Sequence, residues 1–208
     1  MSSPSPAART LAEAAAARAA ILRATCCAAG EVQFAQVAER VGRAVAQAEP
    51  AGQRERWAER FAARMRDGLF LPSIPTLANA GRLGQLAACF VLEPADSLDS
   101  IYETLARAAR IQQRSGGAGI HFSKLRPRGA SIARTAGVSP GPLAFVELFA
   151  HSARVNALAG RRPGAHLAIL RDDHPDIVDF VRAKASGDVA LAAIGLAVGV
   201  SDGLLEAA

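Results

Sequence analysis

The residue with the most reactive chemistry of its own is Cys89, inside the apolar run LAACFVL at 86–92. A thiol there can give up electrons, exchange with a disulfide or attack as a thiolate. A free cysteine in such a run also serves as a small hydrophobic residue in a buried strand. The run SGGAG at 115–119 has so few side chains that its backbone N–H groups can approach a phosphate or ribose. It can equally close a helix with a tight turn. It follows a helix rather than joining a strand to one, so it is neither a dinucleotide fingerprint nor a P-loop. Arg161 and Arg162, set between Gly160 and Gly164, can clamp an anion or form a solvated turn. His174, ahead of Pro175 at a helix start, reads as a capping residue before it reads as an acid–base group.

The elements that position these groups follow from periodicity and breakers. Residues 1–8 form a Ser/Pro/Ala-rich tail. Helices are expected over 9–29, 31–48 and 53–67, the second with Phe34, Val37, Val41 and Val45 on one face. The stretch 71–84, with two prolines and two glycines, reads as a loop. After it come a buried strand at 86–92 and a helix capped at Asp96 and Ser97, with Leu98, Ile101, Leu105 and Ala108 inward. A short strand at 120–123, a Pro/Gly-containing loop, a helix over 143–158 and a strand over 165–170 come next. A helix opening at 173–176 and a strand within 191–200 complete the pattern. Strands alternating with helices imply parallel βα units. Four strands do not close a barrel, and they leave an open parallel edge.

Composition narrows the class. Half of the 208 residues are hydrophobic but only 5% are aromatic, so the core is built from aliphatic residues, alanine and eight phenylalanines. The net charge of +5 comes almost wholly from arginine, since Lys124 and Lys184 are the only lysines. A basic balance suits anionic partners such as nucleotides. The arginines are scattered rather than clustered, which argues against a nucleic-acid patch. Cys26 and Cys27 are adjacent and no cysteine pair has metal-ligand spacing, pointing to a reducing, cytoplasmic compartment. No stretch has the length of a membrane span.

The order of the motifs carries more than any one of them. PTLANAG at 75–81, GQLAACFVL at 84–92, DSLDSI at 96–101, GGAG at 116–119, LRPRG at 125–129, SPGP at 139–142 and ILRDDHPDI at 169–177 follow one another. Together they closely resemble the ribonucleotide reductase large-subunit pattern over residues 68–185. The wording is nearest the adenosylcobalamin-dependent (class II) enzymes, with class I large subunits as the alternative.

The resemblance implies a helical amino-terminal segment (9–68) followed by the first, incomplete part of an α/β barrel (69–208). It implies reduction of ribonucleotides to deoxyribonucleotides, with Cys89 as one half of the dithiol that reduces the ribose and ends as a disulfide. Thr76 then lies near the substrate phosphate, and Ala88, Gly116 and Gly117 line the substrate. Asp96 and Ser97 match the site of a dNTP specificity effector, and Arg126 a contact to its phosphates. Arg161 and Arg162 lie in the loop that relays effector identity to the substrate site. Adenosylcobalamin is the implied cofactor and a thioredoxin-type protein the implied reductant.

The sequence departs from the family at Ser73 for an asparagine, Ala87 for a serine, and in the relay loop, where Gly-Gly-Thr-Arg-Arg-Gly becomes AGRRPG at 159–164, losing a glycine and gaining Pro163. No cysteine follows Cys89, and the family's radical-bearing cysteine and its Asn and Glu partners have no counterpart here. The expectation is an amino-terminal fragment that is inactive alone and completed by a separate chain carrying the remaining half-barrel. The alternatives are a non-catalytic dNTP-binding module and a degenerate remnant.

Overall fold

The computed structural model describes residues 6–82, 85–114, 116–133, 136–157, 165–185 and 189–207. They form two units, Met1–Ala88 and Cys89–Ala208.

The first unit is helical. It contains α1 (Pro6–Thr25), α2 (Phe34–Val45, continued by a 3-10 turn at Ala46–Ala48), α3 (Arg54–Arg66) and the short α4 (Ile74–Asn79). α1 begins at Pro6, within the stretch read as a tail. α2 starts where the Gln36 side-chain oxygen accepts the N–H groups of Val32 and Gln33, satisfying donors that a helix start leaves free. Its Val37 and Val41 are buried with Met65 of α3, Leu77 of α4, Cys26 and Cys27. The α2–α3 contact is close because Gly42 has no side chain: a Cβ there would lie 2.5 Å from the Ala58 carbonyl.

Arg40 ties this unit together. Its guanidinium pairs with both oxygens of Glu31 and donates to the carbonyls of Cys26, Leu77 and Ala80. The last two lie at the end of α4, where helix carbonyls have no partner of their own. α4 falls in the segment expected to be a loop. Pro75 sits in its first turn, the one place where a proline costs a helix no hydrogen bond.

The second unit is α/β. Its elements are β1 (Cys89–Leu92), α5 (Leu98–Gln113), β2 (Gly117–His121), β3 (Ser131–Ile132), β4 (Gly137–Val138), α6 (Pro142–Ala157), β5 (His166–Arg171), α7 (Ile177–Ala185), β6 (Ile194–Gly199) and α8 (Asp202–Ala207). β1, β2, β5 and β6 form a four-stranded sheet in that order, every pairing parallel. Parallel neighbours need long crossovers, and α5, α6 and α7 supply them. β3 and β4 make a separate antiparallel pair. One sheet face packs Ala118, Ile120, Ala168, Leu170 and Ile194 against Ile101, Val146, Phe149 and Phe180. Phe122 and Phe149 meet edge to face at 5.2 Å between centroids. Each buried Ile, Leu, Val or Phe of this set contributes about 1.5–3 kcal/mol.

The expected α/β order holds, with two shifts. β1 covers only the last four residues of the apolar run, and β2 begins at Gly117 rather than at residue 120. Among the described residues, no helix is long and apolar enough to cross a membrane.

Candidate functional site

Cys89 opens β1 and is paired in parallel register with Gly117 of β2. Of the three cysteines it alone is exposed; Cys26 and Cys27 are buried. The expectation of a buried thiol is therefore corrected. Along β1 the burial alternates: Phe90 and Leu92 pack against the core, while Cys89 and Val91 (85% exposed) are open. A continuous apolar run suggested a strand covered on both faces. Here one face carries the helices and the thiol belongs to the other.

The glycine-rich run both closes a helix and opens a strand. Gly116 donates its N–H to the carbonyl of Ile111 and closes the end of α5, while Gly117 and Gly119 belong to β2. Gly117 has a packing reason to be glycine, since a Cβ there would lie 2.2 Å from the Ala165 carbonyl. Gly119 has room, its nearest neighbour being Ile169 Cδ1 at 3.8 Å.

A second cluster lies at the start of α5. Ser97 caps the helix by accepting the Ser100 N–H, and Ser100 Oγ accepts the N–H of Ala95. Arg126, on the loop after β2, puts Nε 2.8 Å from Asp96 Oδ2 and its backbone N–H 3.2 Å from Oδ1. The guanidinium also donates to the carbonyl of Ser131. Asp96, Ser97 and Arg126 are thus brought together. A guanidinium beside the positive end of a sixteen-residue helix suits an anionic ligand.

Thr76 lies on α4, its hydroxyl donating to the Leu86 carbonyl and meeting Ser73 Oγ at 3.0 Å. Ala88 is half-buried at the end of the first unit. Arg161 and Arg162 lie outside the described residues. His174 is a structural tie rather than a helix cap: Nε2 donates to the Leu125 carbonyl and Nδ1 accepts the N–H of Asp176, just ahead of α7.

Three polar groups beside the first two strands gave no motif in the sequence. Glu93 Oε2 accepts from Lys124 Nζ at 2.6 Å, and Glu93 Oε1 is 3.7 Å from His121 Nδ1. A signal was present all the same: Glu93 is four residues beyond Cys89 and His121 four beyond Gly117, so strand alternation puts both on the side of that pair. His166, at the start of β5, is a fourth such group. It is buried and bonded to the backbone of β2.

Residues 87–208 match the ribonucleotide reductase barrel-domain family, and residues 17–85 match its all-alpha domain family. A Mycobacterium tuberculosis protein named vitamin B12-dependent ribonucleoside-diphosphate reductase is 48% identical over 176 residues, 83% of this chain and 25% of that protein. A Thermoplasma acidophilum protein of the same name is 43% identical over 138 residues, 66% of this chain and 18% of that one. The fold is similar to that of the Actinobacillus ureae class Id ribonucleotide reductase alpha subunit, with a TM-score of 0.74 and 23% identity. That match covers 91% of this chain and 34% of the subunit. The chain thus spans about a quarter or less of the curated relatives it matches.

Proposed function

This chain belongs to the ribonucleotide reductase large-subunit family, and on that footing we propose that it serves the thiol-dependent reduction of a ribonucleotide to a deoxyribonucleotide. The observation that carries the reading is the exposed thiol of Cys89, paired in register with Gly117 on the sheet face away from the helical core. Cys89 supplies one of two thiols. Together they give two electrons and two protons, the ribose 2′-hydroxyl leaves as water, a hydrogen takes its place, and the sulfurs end joined as a disulfide. A thioredoxin-type dithiol then restores them. Thr76, Ala88 and the Gly116–Gly117 backbone are assigned to the nucleotide substrate.

Asp96, Ser97 and Arg126 are assigned to a dNTP effector, with Arg161 and Arg162 in the relay between the two ligands. The Asp96–Arg126 geometry supports this part independently of catalysis, and so keeps open a second reading as a nucleotide-binding module. The name shared by the relatives makes adenosylcobalamin the cofactor of this lineage. Two described cavities, of about 300 and about 320 Å³, lie at the small end of the range for small-molecule sites. A cytoplasmic location belongs to the same proposal.

The test is turnover in a reductase assembled around this chain. Cys89→Ser should abolish deoxyribonucleotide formation while leaving nucleotide binding intact. Retained turnover would overturn the role of Cys89.

A further inference from the structure

The exposed thiol needs a fixed backbone beside it, and the structure shows what fixes one. His166, at the start of β5, pairs in register with Ala118, the residue after Gly117. It is 5% exposed, and its ring lies in the core rather than on the thiol's face. Its Nδ1 is 3.2 Å from the Ala118 nitrogen and accepts that N–H. Its Nε2 is 3.3 Å from Gln112 Oε1, and Gln112 Nε2 donates to the Ala153 carbonyl at 2.8 Å. Only one assignment satisfies every atom. The amide of Gln112 gives its N–H to α6, so its oxygen faces the imidazole, which must then carry its proton on Nε2 and offer a lone pair at Nδ1. Buried polar groups joined in this way specify one arrangement, because any alternative leaves a group unsatisfied.

What the chain of bonds holds is the end of α5 and the start of β2. Gln112 lies in the last turn of α5 and Ala118 is the second residue of β2, so the segment between them is anchored at both ends. Within it, Gly116 is bonded to the Ile111 carbonyl and Gly117 is wedged against Ala165. An apolar residue at 166 would fill the same volume without holding the Ala118 N–H.

We propose that His166 is a positioning residue, its imidazole setting the Gly116–Gly117 backbone beside Cys89 so that a ribonucleotide can be seated there. The inference rests on the assignment of Cys89 and Gly117 to the substrate. His166 touches neither the thiol nor the nucleotide; it acts through the backbone of β2.

The test uses three variants of the chain and two readouts. His166→Asn keeps an acceptor oxygen where Nδ1 stands. His166→Gln places its amide out toward Gln112 and leaves the Nδ1 position without an acceptor. His166→Phe keeps the volume and removes both groups. The first readout is hydrogen exchange at the Ala118 amide. It should stay near wild type in the Asn variant and speed up roughly tenfold in the Gln and Phe variants, as loss of one hydrogen bond implies. The second is protection of Cys89 from iodoacetamide by cytidine diphosphate, read by mass spectrometry. Protection should survive in the Asn variant and fall away in the other two. A residue that merely stabilised the core would not separate Asn from Gln in this order. Slow exchange and full protection in folded His166→Phe would overturn the inference, as would loss of both in folded His166→Asn. Absence of protection in the wild type would instead overturn the substrate assignment of Cys89, and exchange at Ala118 would still decide whether His166 holds that backbone.

Discussion

Arg126 and Asp96, thirty residues apart in sequence, meet through both oxygens of one carboxylate, Nε on Oδ2 at 2.8 Å and the Arg126 backbone N–H on Oδ1 at 3.2 Å. The contact locks the loop after β2 to the start of α5 and presents a guanidinium at the capped end of that helix. Both side chains remain more than a third exposed, so the pair contributes only about 0–1 kcal/mol to the fold. Its value lies in presenting the guanidinium.

If that site takes a dNTP, the ligand must stabilise the native chain in proportion to its saturation. In thermal melts followed by circular dichroism, at least one dNTP should raise the midpoint of the wild type. Arg126→Ala should melt within a degree or two of wild type without ligand and lose most of the ligand-induced rise, since the pair itself contributes little. An undiminished rise in Arg126→Ala would remove Arg126 from the site.

The two strand glycines should respond differently to the same methyl group. Gly117→Ala forces a Cβ onto the Ala165 carbonyl, a backbone atom that cannot swing away, and overpacking of that kind costs about 1–3 kcal/mol or more. Gly119→Ala meets only Ile169 Cδ1 at ordinary contact distance and should be nearly neutral. Denaturant midpoints of the two variants measure this. Equal effects would show that the close approach of Ala165 to β2 is not rigid.

Acid should act on the chain in two windows. Burial holds the His166 imidazole below the ordinary histidine value of 6.5, so the folded chain keeps it neutral where the unfolded chain protonates it. Its contribution is present above pH 6.5 and is lost as pH falls from there through the depressed folded value. For Glu31, burial acts to raise the carboxyl, but the Arg40 guanidinium and the Ala28 N–H outweigh it and hold the group below its ordinary 4.5. That contribution is present above pH 4.5 and is lost as pH falls through the lower folded value. Melting temperatures of wild type, His166→Asn and Glu31→Gln from about pH 8 to about pH 3 separate the two. His166→Asn should flatten the curve below pH 6.5, and Glu31→Gln below pH 4.5. Parallel curves for all three would contradict both assignments.

The order of elements was legible because periodic apolar residues and breakers act locally. Val37 and Val41 on α2, and Ser97 ahead of α5, announced their helices. α4 was hidden because Pro75 reads as a breaker unless it falls in a first turn, and which turn it occupies depends on the backbone around it. The start of β2 was hidden because glycine has no strand preference of its own. What puts Gly117 in a strand is its pairing with Cys89 and the approach of Ala165, neither of which is local. The exposure of Cys89 could not be read from an apolar run, since the run does not say which sheet face is covered. Asp96, Ser97 and Arg126 were found through the resemblance, and geometry then joined them. His166 and Gln112 gave no signal, because a buried polar pair is defined only by partners 48 and 54 residues away.

The most direct test of the substrate's place beside Cys89 is the rate at which iodoacetamide modifies that thiol in the intact chain, with and without cytidine diphosphate. Cys26 and Cys27, being buried, should react slowly and serve as internal references. Cys89 should be the fast-reacting thiol, and the ribonucleotide should slow its modification several-fold, roughly in line with site occupancy. Modification of Cys89 at one unchanged rate, with nucleotide at saturating concentration, would contradict the placement of the substrate beside this thiol.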